Sequence, residues 1–295
     1  MEGFFREHAG QYAVVHSHVF QLDFLIFRLA HKYGIKTCIS HAHTTKWADY
    51  RFRVIRNRIM AIPVPYCADV WGACSIAAGE FLYGKTFARS PKRWVVHNAI
   101  EVQRFAFDAD SRKRVRREFG YTDEIVLGNV GRLSPPKNQT FLLDIMKTLL
   151  ENGQTQYRML IVGDGELREE LLAKVERRGV HEYVTFAGMR SDIPEMLWAM
   201  DIFLFPSLYE GLGIAGIEAQ ATGLPCIFSE EVPREAMVTE AWYLPINKGA
   251  EMWATAIRQM STLSKRDLQA AKFFEAGYDI ATEAEKITRY YENLA

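Results

Sequence analysis

The chain has 295 residues, of which 48% are hydrophobic and 24% charged, and its formal net charge is zero. This composition excludes a fibrous or disordered protein and is enough for two buried cores. No apolar run approaches the roughly 18 residues of a membrane-spanning helix, and the first residues lack the apolar segment of a signal peptide. The four cysteines, Cys38, Cys67, Cys74 and Cys226, show no C-x-x-C spacing. We therefore predict a cytoplasmic protein with reduced thiols.

Ten short apolar or β-branched runs alternate with segments of helical period. In chain order the predicted strands are AVVHSH, KTCISHA, DVWGACS, RWVVHN, EIVLGNVG, YRMLIVGDG, YVTFAG, DIFLFPS, LPCIFS and WYLPI. This alternation predicts parallel sheets with helices on both faces. We predict an N-terminal domain at residues 1–108, a C-terminal domain at 109–278, and a terminal helix at 279–295 that packs back on the N-terminal domain.

Charge is unevenly distributed along the chain. Residues 1–118 hold 19 Lys and Arg against 10 Asp and Glu, whereas residues 119–295 hold 17 against 26. The basic residues cluster at 46–58, among aromatic side chains, and at 111–118. Each cluster predicts either a solvated helix face or a surface for an anionic membrane or phosphorylated acceptor. No recognised nucleic-acid motif accompanies them, so we predict no nucleic-acid partner.

The segment GNVGRLSPPKNQ contains a candidate anion site. It follows the fifth predicted strand and precedes a helix predicted to begin near Asn138, at the sheet edge where ligands usually bind. Arg132 offers a guanidinium fork, Lys137 offers a point charge, and the helix N-terminus adds unpaired N–H groups. This chemistry suits a diphosphate. The alternative is an exposed polar turn with two ordinary cations.

A literal G-x-G-x-x-G occurs at Gly211, Gly213 and Gly216, with Glu230 where an acidic ribose ligand would stand. Taken alone, this pattern predicts a nicotinamide-dependent oxidoreductase. In that fingerprint the first glycine directly follows its strand, but PSLYE intervenes here. The dinucleotide interpretation therefore matches imperfectly.

Two glutamates in the same region, Glu210 and Glu218, offer another interpretation. Glu210 precedes the glycine turn, and Glu218 lies about one turn into the helix that the turn opens. Two carboxylates flanking a helix N-terminus can accept hydrogen bonds from two sets of hydroxyls, while backbone N–H groups hold phosphate. A sugar nucleotide has that layout.

Two H-x-H pairs end the first two predicted strands: His16 with His18, and His41 with His43. Four imidazoles at one sheet edge could hold a metal ion or remain neutral hydrogen-bonding groups, and we favour neutral histidines. The D-x-D at residues 108–110 is predicted to be a solvated turn. The sequence therefore predicts no metal site.

Several motifs together resemble the retaining glycosyltransferases of family four, and within that family those of capsule and exopolysaccharide synthesis. They are GNVGRLSPPKNQ, MLIVGDGELREEL, VTFAGMRSDIPEML, DIFLFPSLYEGLGIAGIEAQATGLPCIFSEEVPREAMV and AGYDIATEAEKITRYYENL. The resemblance runs from about residue 11 to the end. It implies the α/β GT-B fold, with two Rossmann-like, doubly wound parallel-sheet domains facing a cleft.

The resemblance also implies site residues. Arg132 and Lys137 match the diphosphate-binding pair, Glu210 the contact to the donor sugar, and Glu218 the ribose ligand. His43 matches the position nearest the transferred sugar and acceptor. The remaining implied contacts are Gly188, Met189 and Arg190 near the base, and Leu212, Gly213 and Ile214 at the distal phosphate. Of these, His43, Arg132, Lys137 and Glu210 are the predicted catalytic residues.

The implied reaction transfers a hexose from a nucleotide sugar to a lipid-linked or oligosaccharide acceptor. UDP is the family default, and GDP is the alternative. Catalysis of this type needs no metal cofactor, because fixed cations and a helix dipole stabilise the departing diphosphate. The expected location is cytoplasmic, on the inner membrane face, with residues 46–58 as the peripheral contact.

One departure from the family concerns the N-terminal domain. Family members have a strand, a Gly-rich loop and further βα units before the segment that matches YAVVHSH. Without them we expect an incomplete domain of four strands, whose exposed edge a homo-oligomer could cover. The alternative function is accordingly a catalytically impaired remnant that binds a nucleotide sugar or a partner protein.

Overall fold

The computed structural model describes residues 1–47, 51–260, 266 and 268–294. Part of the predicted basic and aromatic segment, residues 48–50, therefore lies outside the described residues. The chain forms two compact units. The N-terminal unit comprises Met1–Ala99 with Gly277–Ala295, and the C-terminal unit comprises Ile100–Ala276.

The ten predicted strands are all present. They are β1 (Val14–Ser17), β2 (Thr37–Ala42), β3 (Val70–Ala73), β4 (Arg93–Val95), β5 (Ile125–Val130), β6 (Tyr157–Val162), β7 (Val184–Gly188), β8 (Ile202–Phe205), β9 (Cys226–Ser229) and β10 (Ala241–Leu244).

Helices separate most of these strands in the described part of the chain. They are α1 (Glu2–Glu7), α2 (Phe20–Lys32), α3 (Arg51–Ala61), α4 (Val64–Cys67), α5 (Ile76–Tyr83), α6 (Ala109–Glu118), α7 (Gln139–Glu151), α8 (Arg168–Arg178), α9 (Ile193–Ala199), α10 (Ile214–Ala221), α11 (Ala250–Met260), α12 (Ala270–Glu275) and α13 (Ile280–Leu294). None of the described helices is long and apolar enough to cross a membrane.

The N-terminal unit contains a four-stranded parallel sheet in the order β1-β2-β3-β4. Helix α2 covers one face, because its apolar residues recur at helical spacing and bury Phe27 and Ala30 against Cys38 of β2. The C-terminal helix α13 also belongs to this unit, and its Tyr290 stacks on Trp94 of β4 with ring centroids 3.9 Å apart. The last helix thus supplies part of the packing around the first sheet.

The C-terminal unit contains a six-stranded parallel sheet in the order β10-β9-β8-β5-β6-β7. Strands β5 to β7 extend the sheet in one direction, and β8 to β10 extend it in the other. The order therefore reverses between β5 and β8. In open parallel sheets this reversal point is the usual ligand site.

The core of the C-terminal unit explains why its central strands are continuously apolar. Helices α7 and α11 pack on one face of the sheet, so Leu127 of β5 and Met159 of β6 are fully buried. Trp253 of α11 is completely buried and meets Phe141 of α7 edge-on, with ring centroids 5.5 Å apart. A sheet covered on both faces needs apolar side chains on both faces of its strands.

The segment around residue 108 differs from its sequence-based interpretation. Asp108 is the N-cap of α6, and its carboxylate accepts a hydrogen bond from the Ser111 N–H at 2.5 Å. Arg112 and Arg116 of α6 both bind Asp201, at 2.7 and 3.1 Å. Residues 108–110, predicted to form a turn, therefore begin helix α6. Arg112 and Arg116 of the basic cluster at 111–118 are partly buried in ion pairs with Asp201.

The division between the units falls at residues 99 and 100, earlier than the sequence-based boundary at 108. The reason is packing, because Val102 and Phe105 are buried and the Trp198 indole donates to the Phe105 carbonyl at 3.2 Å. The connecting segment therefore belongs to the C-terminal unit.

Candidate functional site

The two loops that follow β5 and β8 are joined to each other at the reversal point. The Leu208 N–H donates to the Pro136 carbonyl at 2.7 Å, and the Asn138 side chain donates to the Pro206 carbonyl at 3.2 Å. Asn138 has a φ of 54°, a left-handed conformation that asparagine tolerates. It ends a short 3-10 turn at Pro135–Lys137 and begins α7.

This connection brings two predicted site residues together. The Lys137 ammonium lies 2.6 Å from Glu210 Oε1, with side chains only 22% and 10% exposed. The Ser207 hydroxyl donates to the same carboxylate oxygen at 2.7 Å, and the Lys137 ammonium lies 5.1 Å from the centre of the Phe205 ring. Lys137 and Glu210 therefore neutralise each other in a partly buried ion pair.

Arg132 has a different environment from Lys137. Its side chain is 72% exposed and its Nε lies 3.1 Å from Glu166. An ion pair this exposed contributes little to stability. The Gln139 side chain donates a hydrogen bond to the Arg132 carbonyl at 2.9 Å and so fixes the backbone at this position. The Arg132 side chain extends from this fixed backbone into solvent.

Helix α10 begins at the end of the β8 loop. Gly213 is its N-cap, with a φ of 93° that other residues rarely adopt. A Cβ at this position would lie 3.0 Å from the Phe205 ring. Leu212 is buried and Ile214 is 38% exposed. Among the described residues no side chain caps this helix, so its first N–H groups can bind an anion.

The third glycine of the G-x-G-x-x-G pattern has a packing role. A Cβ on Gly216 would lie 2.8 Å from the Phe228 ring, so glycine lets α10 approach β9 closely. Gly211 is separated from the end of β8 by the loop that carries Glu210. The glycine turn therefore does not follow its strand directly, as a dinucleotide fingerprint requires.

Glu218 lies on α10 and is largely buried. Burial raises the pKa of its carboxyl from 4.5 to about 7, and the charge of Arg104 opposes this shift. The Glu218 side chain is therefore poised between its neutral and ionised forms near neutral pH. A hydroxyl that donates to it would favour the ionised form.

The predicted base-binding turn follows β7. The Gly188 carbonyl accepts a hydrogen bond from the Gly163 N–H at 2.8 Å, and Met189 is 82% exposed. Arg190 is bound by Asp192 at 2.7 Å and by Glu118 at 2.8 Å, and these carboxylates raise its pKa. The Arg190 guanidinium is thus engaged by two carboxylates of its own unit.

The sequence analysis missed the loop that supports this site from behind. A Cβ on Gly163 would lie 2.1 Å from the Gly131 carbonyl oxygen, and one on Gly165 would lie 2.4 Å from that of Leu133. The loop after β6 therefore lies directly against the loop that carries Arg132 and Lys137. The sequence feature that could have indicated this loop is V-G-D-G at residues 162–165, in which two glycines follow a buried strand.

The predicted histidines of the N-terminal unit form one cluster at the ends of β1 and β2. His16 Nε2 lies 2.9 Å from His41 Nδ1, and His18 Nδ1 lies 2.7 Å from His43 Nε2. The rings of His41 and His43 stack with centroids 4.4 Å apart. His16 Nδ1 also lies 2.5 Å from the Tyr291 hydroxyl of α13.

Burial lowers the pKa of three of these histidines, His16, His41 and His43. Burial, with repulsion from neighbouring imidazoles, lowers the pKa of His16 to about 4 and that of His41 to about 2. The pKa of His43 is also lowered, mainly by burial. His16 and His41 can therefore offer lone pairs at neutral pH without losing a proton.

Comparison with known proteins gives a match within the C-terminal unit. Residues 124–262 match the model of the family described as Glycosyl transferases group 1. "Putative glycosyltransferase EpsF" of Bacillus subtilis (strain 168) is 29% identical over 92% of this chain and 72% of its own length. "UDP-Gal:alpha-D-GlcNAc-diphosphoundecaprenol alpha-1,3-galactosyltransferase" of Escherichia coli is 36% identical over 46% of this chain and 36% of its own length.

A solved structure shows the fold of both units. The crystal structure of Anabaena Alr3699/HepE in complex with UDP has a TM-score of 0.82 to this chain at 18% identity. The match covers 99% of this chain and 82% of the Anabaena chain. The predicted GT-B fold, with two parallel-sheet α/β units, is thereby confirmed. The N-terminal unit has four strands.

Proposed function

We propose that this protein is a glycosyltransferase that moves a hexose from a UDP-sugar to a lipid-linked or oligosaccharide acceptor in polysaccharide synthesis. The observation that carries the proposal is the pairing of Lys137 with Glu210 at the reversal point of the C-terminal sheet, beside the start of α10. This is a cation, a carboxylate and a helix N-terminus in one place. The matched domain family and the Anabaena complex with UDP support the choice of donor.

In this proposal each side chain has a role that follows from its chemistry. Lys137, Arg132 and the N–H groups of residues 213 and 214 bind the diphosphate and stabilise the negative charge that develops as the sugar departs. Glu210 accepts hydrogen bonds from sugar hydroxyls, and Glu218 from the ribose. The turn at residues 188–190 contacts the base, with the Met189 side chain available in solvent.

In the proposed complex the diphosphate competes with Glu210 for the Lys137 ammonium and draws it away from the carboxylate. The freed carboxylate then accepts hydrogen bonds from the sugar, which links sugar recognition to diphosphate binding. Since fixed cations already serve the leaving group, the proposed transfer uses no metal ion at the diphosphate. We further propose that the anomeric configuration is retained and that His43 contacts the transferred sugar.

The acceptor side of the proposal depends on an exposed apolar surface of the N-terminal unit. Its members recur at helical spacing on α3 and continue to α4: Phe52, Ile55, Ile59, Ile62 and Tyr66, each at least 61% exposed. Arg53, Arg56 and Arg58 occupy the same helix. An exposed apolar stripe with arginines suits the interface of an anionic membrane, where a lipid-linked acceptor is found.

A thermal-shift titration with UDP, GDP and NAD tests the donor assignment, because a ligand that binds only the folded state raises the melting temperature. We expect a shift with UDP that disappears in Lys137→Ala and weakens in Arg132→Ala. Arg177→Ala, which removes an exposed arginine of α8, is the matched control. A shift with NAD alone would contradict the proposal and favour the oxidoreductase alternative.

Transfer itself is tested by incubating the protein with UDP-sugars and membrane lipid extracts and measuring the release of UDP. Release should require both components and persist in a chelator. Nucleotide binding without any release would favour the catalytically impaired alternative. For an identified product, the NMR coupling constant of the anomeric proton decides whether configuration is retained.

A further inference from the structure

The proposed function uses only His43 of the histidine cluster in the N-terminal unit, but all four rings lie close together. Strands β1 and β2 are parallel, and their register pairs His16 with Ile39 and Ser17 with Ser40. Paired residues of adjacent strands point to the same face, and residues two apart along a strand do so as well. All four histidines of the two H-x-H pairs therefore belong to one face, at the carboxyl ends of neighbouring strands.

We propose that His16, His18 and His41 bind one divalent transition-metal ion of the Zn²⁺ type. One ring nitrogen from each of the three lies within 4.8 Å of the others. Zinc binds imidazole nitrogen at about 2.0–2.1 Å, which places tetrahedral ligand atoms roughly 3.4 Å apart. His16 Nε2 and His41 Nδ1 are 2.9 Å apart, so binding needs this pair to separate slightly and the exposed His18 ring to turn toward it.

The surroundings of the cluster fit a metal site in two further respects. The Tyr291 hydroxyl lies 2.5 Å from His16 Nδ1, and such a partner fixes a ligand ring and leaves its other nitrogen for the metal. Gly72 of β3 lies against the His41 ring, where a Cβ would be 3.3 Å from Nδ1. Tyr291 therefore orients the His16 ring, and the absence of a side chain at Gly72 leaves room for the His41 ring.

The chemistry of the donors selects the class of ion. Imidazole nitrogen suits zinc, copper, nickel and cobalt, whereas calcium and magnesium prefer oxygen. Three protein ligands leave a fourth position open for water or a hydroxyl compound, as in zinc sites that are not purely structural. The fourth histidine, His43, lies 2.7 Å from His18 through Nε2 and Nδ1, and so can orient the His18 ring.

A second group of potential ligands in the same unit, His31, Cys38 and Asp69, is weaker. Asp69 already accepts hydrogen bonds from the Cys38 N–H at 2.9 Å and from His31 at 3.1 Å, and burial raises the pKa of the Cys38 thiol to about 12. A thiol that holds its proton is a poor metal ligand. His31→Ala is therefore a matched control, because it removes a histidine of the same unit outside the proposed site.

The test is titration of the full chain, prepared without a polyhistidine tag, with Co²⁺ followed by displacement with Zn²⁺. We expect one ion per chain and the intense visible absorption of four-coordinate Co²⁺, lost on addition of Zn²⁺. Zn²⁺ affinity, measured by competition with a chromophoric chelator, should fall at least about tenfold in His18→Ala and in Tyr291→Phe, and remain unchanged in His31→Ala.

His18 is the first choice for substitution because its side chain is exposed, so its loss should leave the far-ultraviolet circular dichroism unchanged. Binding that survives His18→Ala, binding that His31→Ala abolishes, or the weak absorption of six-coordinate Co²⁺ would each overturn the proposal. The readouts require no donor or acceptor, so the result is independent of the proposed transfer reaction.

Discussion

Lys137 and Glu210 are each other's counter-ion, which changes what a substitution at either position should do. Because the ammonium lies 2.6 Å from the carboxylate, the carboxylate would compete with the phosphate of a bound nucleotide for it. The two residues therefore cannot be altered independently, although the sequence analysis gave them separate roles.

Glu210→Gln should remove the competitor for Lys137. We expect UDP affinity to be maintained or increased, because the Lys137 ammonium no longer has a carboxylate to exchange for phosphate, while transfer is lost. Lys137→Ala should weaken UDP binding by about 1.5–3 kcal/mol, the contribution of a charge-assisted bond. Isothermal titration calorimetry with UDP measures both.

Glu230→Gln, which alters an exposed glutamate after β9, controls for the change in net charge. Equal losses of UDP affinity in Glu210→Gln and Lys137→Ala would contradict competition within the pair.

Glu218 should make stability depend on pH. Its pKa is raised from 4.5 to about 7 by burial, so its contribution is fully present below pH 4.5 and is lost as the pH rises through about 7. The difference amounts to at most about 3 kcal/mol. Glu218→Gln should flatten this dependence, as measured by urea unfolding at pH 5 and pH 8.

In the same experiment Glu230→Gln should keep the slope of the natural protein. A Glu218→Gln variant that loses as much stability between pH 5 and pH 8 as the natural protein would show that the carboxyl is already ionised in the folded state.

Individual site residues were predictable because short motifs place them after strands, but their partners were not. Lys137 and Glu210 are 73 positions apart, and Arg190 and Glu118 are 72 apart. A single sequence shows that charges are present without showing which of them meet. The raised pKa of Glu218 likewise depends on burial, which helix periodicity alone does not quantify.

At the scale of elements, the loop after β6 supports the loop after β5. Gly165→Ala should place a methyl group 2.4 Å from the Leu133 carbonyl oxygen and push the two loops apart. Because backbone cannot yield as a flexible side chain can, we expect a loss of stability of about 1–3 kcal/mol and weaker UDP binding. Urea unfolding and calorimetry measure the two effects.

Gly3→Ala is the matched control, since nothing lies within 4 Å of a Cβ at that position. If Gly165→Ala bound UDP as tightly as Gly3→Ala does, the loop after β6 would have no part in shaping the site.

The exposed apolar stripe on α3 should mediate binding to anionic membranes. Replacing Ile55 and Ile59 together with serine removes two side chains that are each 61% exposed, so the fold should be retained. We expect co-sedimentation with phosphatidylglycerol vesicles to fall at least about tenfold, since burying one such side chain contributes about 1.5–3 kcal/mol.

Met252→Ser is the control, because it removes an apolar side chain of α11 that is 40% exposed. If the double variant and Met252→Ser bound vesicles equally, α3 would be excluded as the membrane contact. Binding that is the same for anionic and neutral vesicles would exclude it as well.

The strands were predicted more completely than the environment of the helices. All ten strands were recognisable because buried parallel strands are short, apolar and bounded by turn residues. Helix α6 was misjudged because four of its residues are arginine, which usually indicates solvent. Arg116 is only 8% exposed, since Asp201 and three carbonyl groups accept its hydrogen bonds, and the Asp201 carboxylate follows it by 85 positions.

At the scale of the whole molecule, α13 completes the packing of the N-terminal unit. Tyr290→Ala should remove the ring stacked on Trp94 at 3.9 Å and lower the stability of that unit by about 1–3 kcal/mol, from lost burial and ring stacking. Hydrogen exchange should show faster exchange in residues 1–99 and no change in residues 100–276.

Tyr290→Phe keeps the ring and should leave exchange as it is in the natural protein. Faster exchange spread equally over both units in Tyr290→Ala would contradict an N-terminal role for α13.

The return of residues 277–294 to the N-terminal unit has a consequence for the order of events at the ribosome. The C-terminal unit is continuous from Ile100 to Ala276, so it can fold once its last strand and helices have emerged. Synthesis of the N-terminal sheet starts earlier, yet Tyr290 is translated 196 residues after Trp94, on which it stacks, and Tyr291 is translated 275 residues after His16. The unit whose synthesis begins first is thus the unit whose packing is completed last.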